Sequence, residues 1–309
     1  MSAVDIIIQE VAPRDGLQIE PTWVSTDDKV RLIDAFSTMG FTRIEVSSFV
    51  SPKAVPALRD AADVFSRIRR MPGIIYTALV PNLRGAENAL AADADELNMV
   101  MSASETHNMA NVRMTGADSF RSFAEIAKAA KTAGVLLNGT VATTFGCPFE
   151  GRQSPERVID LVRRYLDLGV DGITLADTTG MANPKQVASL VERVLALIPA
   201  SGLSLHFHNT RGLGLANVIA AYDVGARRFD SALGGLGGCP FAPGASGNIC
   251  TEDVVNMAHD LGLKTGLDLA SLIALSRTLP ALLGHDVPGQ VMKAGRTLDL
   301  HPKPVLVRA

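Results

Sequence analysis

The 309-residue chain holds only three cysteines, Cys147, Cys239 and Cys250. So few, and an odd number, cannot make a full disulfide framework, which points to a reducing compartment and leaves them as free thiols. Nor is there an excess of charge of one sign: 29 Lys and Arg against 32 Asp and Glu leave −3. Without a basic block the chain has no electrostatic footprint for nucleic acid, so an anionic substrate would depend on a few placed cations. No apolar run reaches the ~18 residues of a membrane span, and no secretory leader precedes the first β-rich run. The expected setting is the cytoplasm, with neither membrane nor nucleic acid as partner.

What the chain does have is rhythm. Apolar or β-rich runs recur at 5–9, 43–49, 74–80, 96–101, 135–143, 172–176, 203–208 and 227–233, each followed by a helical pattern. Several helices carry their own boundaries. Ser154-Pro155-Glu156 opens one that Gly169 closes, Asn183-Pro184 opens another, and Thr251-Glu252-Asp253 opens one that ends near Gly262. Such alternation implies a parallel sheet with crossover helices. Eight units fit an α/β fold of the (β/α)₈ TIM-barrel type, with a doubly wound open sheet as the alternative. The barrel is expected over about 4–265 and a C-terminal helix and tail over 266–309, all in one catalytic domain, 1–309.

Barrel enzymes place their chemistry where strands end and βα-loops begin. Here those positions carry Arg14 and Asp15 after strand one, Glu45 in strand two, Asp177 at the end of strand six, and His206-Phe207-His208 in strand seven. Side chains two apart in a strand share a face, so both imidazoles can meet one point at the barrel mouth. Asp15 would complete a two-His, one-carboxylate metal set with open positions for substrate. The bland alternative is a pair of strand histidines bonded to backbone. Likewise Arg14 and Asp15 can be read as a buried ion pair, with Glu45 as a partner for Arg14. Four strand ends delivering ionisable groups to one face argue for a site, because unpaired buried charge is costly. After strand eight, the glycine-rich stretch from Gly234 to Asn248 can fold over a ligand. Cys239 lies in it, placed for proton transfer, whereas Cys147 and Cys250 read as small apolar fillers.

These stretches are where a family likeness enters. Val11-Ala12-Pro13-Arg14-Asp15-Gly16-Leu17-Gln18, the run from Glu45 to Lys53, Gly146-Cys147-Pro148-Phe149-Glu150-Gly151 and the Cys239 loop together resemble the 3-hydroxy-3-methylglutaryl-CoA lyases, over nearly the whole chain. The resemblance implies that Asp15, His206, His208 and Asn248 hold Mg²⁺ or Mn²⁺, that Arg14 steadies a thioester oxygen, and that Cys239 is the acid/base. Glu45 and Asp177 would complete the site. The implied reaction is metal-dependent retro-Claisen cleavage of a 3-hydroxy-carboxyacyl-CoA, 3-hydroxy-3-methylglutaryl-CoA giving acetyl-CoA and acetoacetate, with CoA carried as part of the substrate. A homodimer is the expected assembly, as the commonest one.

The chain also departs from that family. Asn209-Thr210-Arg211-Gly212 stands where Asp, Thr, an aromatic and Gly are usual, and Thr140-Val141-Ala142 stands for a Tyr-Val-Ser run. Ile19 follows Gln18 in place of Asn, and Glu105 to Asn111 replaces a lysine-bearing segment. Substrate choice is therefore expected to turn on Arg211 and Gln18. Arg211 either faces the pocket as a partner for a substrate carboxylate or points away to a surface acid. The alternatives are a lyase for citramalyl-CoA or methylmalyl-CoA, a condensing enzyme joining an acyl-CoA to a 2-oxo acid, and a non-enzymatic barrel that binds metal or CoA esters. The thiol at Cys239 speaks against the last, because binding alone has no use for it. The tail, Val307-Arg308-Ala309, carries neither a peroxisomal address nor a terminal cysteine.

Overall fold

The computed structural model describes residues 4–238 and 247–300. Eight parallel strands pair in sequence order and close, β8 on β1, into a barrel. They are β1 (Ile7–Glu10), β2 (Arg43–Ser48), β3 (Ile75–Val80), β4 (Glu96–Ser102), β5 (Leu136–Ala142), β6 (Gly172–Asp177), β7 (Leu203–Phe207) and β8 (Arg228–Ser231). Helices α1 (Thr26–Phe36), α2 (Ala61–Arg67), α3 (Leu83–Ala91), α4 (Glu105–Val112), α5 (Gly116–Ala133), α6 (Pro155–Asp167), α7 (Pro184–Leu195), α8 (Gly214–Asp223) and α9 (Thr251–Asp260) cover it. None of the described helices is long and apolar enough to cross a membrane.

The helix boundaries follow the chemistry of their residues. Ser154 accepts the Arg157 N–H at 3.1 Å ahead of Pro155, and Asn183 accepts that of Gln186 at 3.1 Å ahead of Pro184. Each cap satisfies a donor that the first turn leaves open. Strand ends differ from the sequence expectation by more than one residue in two places. The first strand starts at Ile7, because the Asp5 and Ile6 N–H groups both go to the carbonyl of Lys264 and not to a ladder. The eighth stops at Ser231, and Leu233–Gly235 then turns tightly through Gly234 at φ +67°. The expected single C-terminal helix is corrected to three short ones among the described residues, α10 (Leu269–Ser276), α11 (Leu279–Leu283) and α12 (Val291–Ala294). Gly284, at φ +80°, ends the second of them, since a left-handed residue cannot continue a helix.

Between barrel wall and helices lies the apolar core, where Phe36, Phe123, Tyr165, Phe207 and Phe229 are fully buried. Inside the barrel the filling is polar, unlike the branched aliphatic layers usual there. Arg43 pairs with Glu96, Thr77 Oγ1 donates to Glu96 Oε1 at 3.0 Å, and Arg43 Nε donates to Gln9 Oε1 at 3.1 Å. Buried charges persist only with partners, and these residues supply them to one another.

Candidate active site

The wide turn Ala12–Gly16 follows β1 directly and carries Arg14 and Asp15 to the mouth. Its N–H groups from Arg14 to Gly16 converge on the Val11 carbonyl. His206 lies near the end of β7 and His208 just beyond it, both buried. Asp15, His206 and His208 offer ligand atoms that all lie within 4.8 Å of one another. The two imidazole Nε2 atoms are 3.1 Å apart, and Asp15 Oδ2 stands 3.7 Å from that of His208 and 3.9 Å from that of His206.

Neighbouring groups orient each ligand. Asp15 Oδ1 accepts Arg14 Nη1 at 2.5 Å and Gln18 Nε2 at 2.8 Å, which turns Oδ2 to the histidines. Asn248, bridged to His208 across an isolated β-pair, donates Nδ2 to Asp15 Oδ2 at 2.7 Å and to the Leu236 carbonyl at 2.9 Å. Its Oδ1 is buried with no partner among the described residues. Gly237 permits this approach: at φ +98°, a Cβ there would sit 2.6 Å from Asn248 Nδ2. His206 Nδ1 lies 3.3 Å from Asp230 Oδ2, so an Nδ1–H directed to that carboxylate leaves Nε2 with a bare lone pair. Two imidazoles, a carboxylate and an orphaned amide oxygen fit a divalent cation with positions left open.

Electrostatics reinforce the set. Burial opposes charge on Asp15, yet Arg14 and the two imidazoles hold its carboxyl far below the usual range. Burial likewise opposes charge on Arg14, and Glu45 with Asp15 keeps it firmly protonated. Burial depresses His208, favouring the neutral imidazole that a ligand must be. Asp177 accepts the N–H groups of Met181 at 2.8 Å and Ala182 at 3.1 Å through Oδ1, while Oδ2 is buried and unpartnered among the described residues. Burial pushes its carboxyl up to about 6 against those two N–H groups.

The structure sets Arg14, Asp15, Glu45, Gln18, His206, His208 and Asn248 in one connected network, with Asp177 on the strand beside His206. The ion-pair reading of Arg14 and the site reading are both realised, since Nε and Nη2 each lie 2.6 Å from Glu45 Oε2 while Nη1 serves Asp15. Arg211 pairs with no acid among the described residues. Its Nη1 donates to the carbonyls of Thr179 at 2.9 Å and Gly180 at 3.0 Å, tying the loop after β7 to that after β6. Cys239 lies outside the described residues. Asp230 escaped the sequence reading, although it lies one residue beyond the buried Phe229 in β8 and pairs in register with His206.

A closed β/α barrel with a histidine–carboxylate cluster at the C-terminal ends of its strands is the architecture of a barrel enzyme whose site could hold a divalent cation. The family model described as HMGL-like matches residues 5–279, and the chain belongs to that family. It is 44% identical to the hydroxymethylglutaryl-CoA lyase of Bacillus subtilis over 285 residues, 92% of this chain and 95% of that one. It is 45% identical to the (R)-citramalyl-CoA lyase of Chloroflexus aurantiacus over 306 residues, 96% of each. A solved HMG-CoA lyase from Acinetobacter baumannii, in complex with coenzyme A and 3-methylmalate, superposes with a TM-score of 0.95 at 64% identity, covering 98% of this chain and 100% of that one.

Asp230→Asn is expected to weaken Mn²⁺ binding by roughly 10–100-fold, the usual effect of losing a carboxylate behind a ligating histidine. Titration calorimetry with Mn²⁺ checks it, and an unchanged affinity would remove Asp230 from the site.

Proposed function

We propose that this protein is a carbon–carbon lyase that cleaves a 3-hydroxy-carboxyacyl-CoA thioester by a retro-Claisen step, with 3-hydroxy-3-methylglutaryl-CoA going to acetyl-CoA and acetoacetate. The observation that carries this is the cluster of Asp15, His206, His208 and Asn248 sharing the barrel mouth with Arg14. Mg²⁺ or Mn²⁺ is the proposed ion, and when bound it supplies Lewis acidity that eases deprotonation of the substrate's hydroxyl. Arg14, fixed by Glu45 and Asp15, presents a guanidinium to the thioester oxygen as enolate charge develops. Asp177, raised towards neutrality, is suited to proton exchange. The hydroxyl loses its proton, the carbon–carbon bond breaks to leave a ketone and the thioester enolate, and the enolate carbon is reprotonated. Cys239 is assigned that last transfer from its place in the sequence.

A second reading has its own support. The citramalyl-CoA relative matches as well as the hydroxymethylglutaryl-CoA relative, and the solved neighbour holds 3-methylmalate with coenzyme A. A citramalyl or methylmalyl thioester is therefore the alternative substrate. Gln18, which orients Asp15, and Arg211, which fixes the loop after Asp177, are the proposed specificity positions. A condensing enzyme of related chemistry and a barrel that binds without turnover are the other outcomes of the test. The full chain, 1–309, is proposed as one catalytic unit, cytoplasmic and homodimeric. A Mn²⁺-supplemented assay over a panel of these thioesters, read by product mass, decides: cleavage of none of them would overturn the lyase reading.

A further inference from the structure

We infer that Asn98 is the positioning residue of the Arg14–Glu45 pair, and that Thr140 and Asn138 hold it in the one amide orientation that works. The inference rests on the role proposed above for Arg14. Glu45 lies on β2 and Asn98 on β4, strands that do not pair with each other, so their contact crosses the barrel interior. Glu45 divides its two oxygens. Oε2 takes Arg14 Nε and Nη2, both at 2.6 Å, and Oε1 takes Asn98 Nδ2 at 3.1 Å. A carboxylate paired with a guanidinium is acceptor-only, so Asn98 must present its NH₂ to it.

That requirement propagates. With Nδ2 committed to Glu45, Asn98 Oδ1 faces β5 and needs donors there. It receives Thr140 Oγ1–H at 2.8 Å and Asn138 Nδ2–H at 3.0 Å. Asn138 also donates to Thr174 Oγ1 on β6 at 3.0 Å, which extends the network to a fourth strand. A reversed Asn98 amide would set oxygen against the carboxylate and NH₂ against the NH₂ of Asn138. Every member is buried, where such a chain is strong when complete and costly when broken. The hydroxyl at Thr140 thus has a physical use: it helps to hold the amide that holds Glu45. Asn98 acts through Glu45 on the aim of Arg14.

The test compares steady-state kinetics on the best-cleaved thioester with melting temperature and Mn²⁺ affinity, in the full-length protein. Asn98→Leu, of similar shape, is expected to lower kcat by about 10–100-fold with KM and Mn²⁺ affinity within about threefold, the pattern of a contact that matters in the transition state. Thr140→Val is expected to lose about 3–10-fold in kcat, and Thr140→Ser, which restores the donor, to recover most of it. Asn98→Asp keeps the shape but sets an acceptor against Glu45. The groups around it are Glu45 on β2 with Arg14 beyond, neutral Thr140 and Asn138 on β5, Thr174 on β6, and the charge of Asp230 on β8. It should be at least as impaired as Asn98→Leu at alkaline pH and regain activity on acidification, when a shared proton restores the donor. Packing alone would move the melting temperature and produce neither that pH profile nor the serine rescue. Arg14→Lys, which keeps the charge beside the two buried carboxylates, serves as reference. If Arg14→Lys keeps full turnover, the role of Arg14 fails. If Arg14→Lys is strongly impaired while Asn98→Leu and Asn98→Asp match the parent at every pH, only the inference about Asn98 is overturned.

Discussion

Replacing His208 by alanine is expected to abolish tight Mn²⁺ binding and to lower turnover by about a thousandfold or more, because activation and orientation of the substrate are lost together. The geometry makes His208 the sharper probe of the pair. Its Nε2 lies 3.1 Å from that of His206 and 3.7 Å from Asp15 Oδ2, and its backbone is bridged to Asn248. Its Nδ1 has no partner among the described residues, so truncation breaks no hydrogen bond there. Thermal stability should change little. Calorimetry with Mn²⁺ reads the binding and a coupled assay reads the turnover. Full activity of the parent protein in excess chelator would end the metal-dependent reading.

Arg14→Lys should cost nearly as much, about 10²–10³-fold in kcat with little change in KM, the typical cost of removing one donor to a developing oxyanion. Charge survives in that variant, but the fork does not. Arg14 engages Glu45 through Nε and Nη2 and Asp15 through Nη1, and a single ammonium cannot reproduce that planar grip on both. The conservative choice matters, because Arg14→Ala would leave two buried carboxylates unpaired, at about 3–5 kcal/mol, and confuse folding with catalysis. Near-parental kcat in Arg14→Lys would reduce the pair to a structural brace.

The eight strands, the capped helices and the cluster of Asp15, His206 and His208 were legible in the sequence because local rules govern them. A period of two puts both histidines on one face, Ser154-Pro155 and Asn183-Pro184 announce helix starts, and barrel topology gathers strand ends at one mouth. Element ends were less legible: Asp5 and Ile6 look like strand, but the carbonyl of Lys264, from the far end of the barrel's sequence, takes their N–H groups. Only the tertiary structure decided what Arg211 meets, since the spacing of two neighbouring loops sets its bonds to Thr179 and Gly180. The same holds for Asp230 behind His206 and for Asn98 behind Glu45, which lie 24 and 53 residues from the groups they hold. Periodicity says which face of a strand a side chain takes; which partner waits across the barrel depends on how all eight strands close, and no local pattern in the chain encodes that.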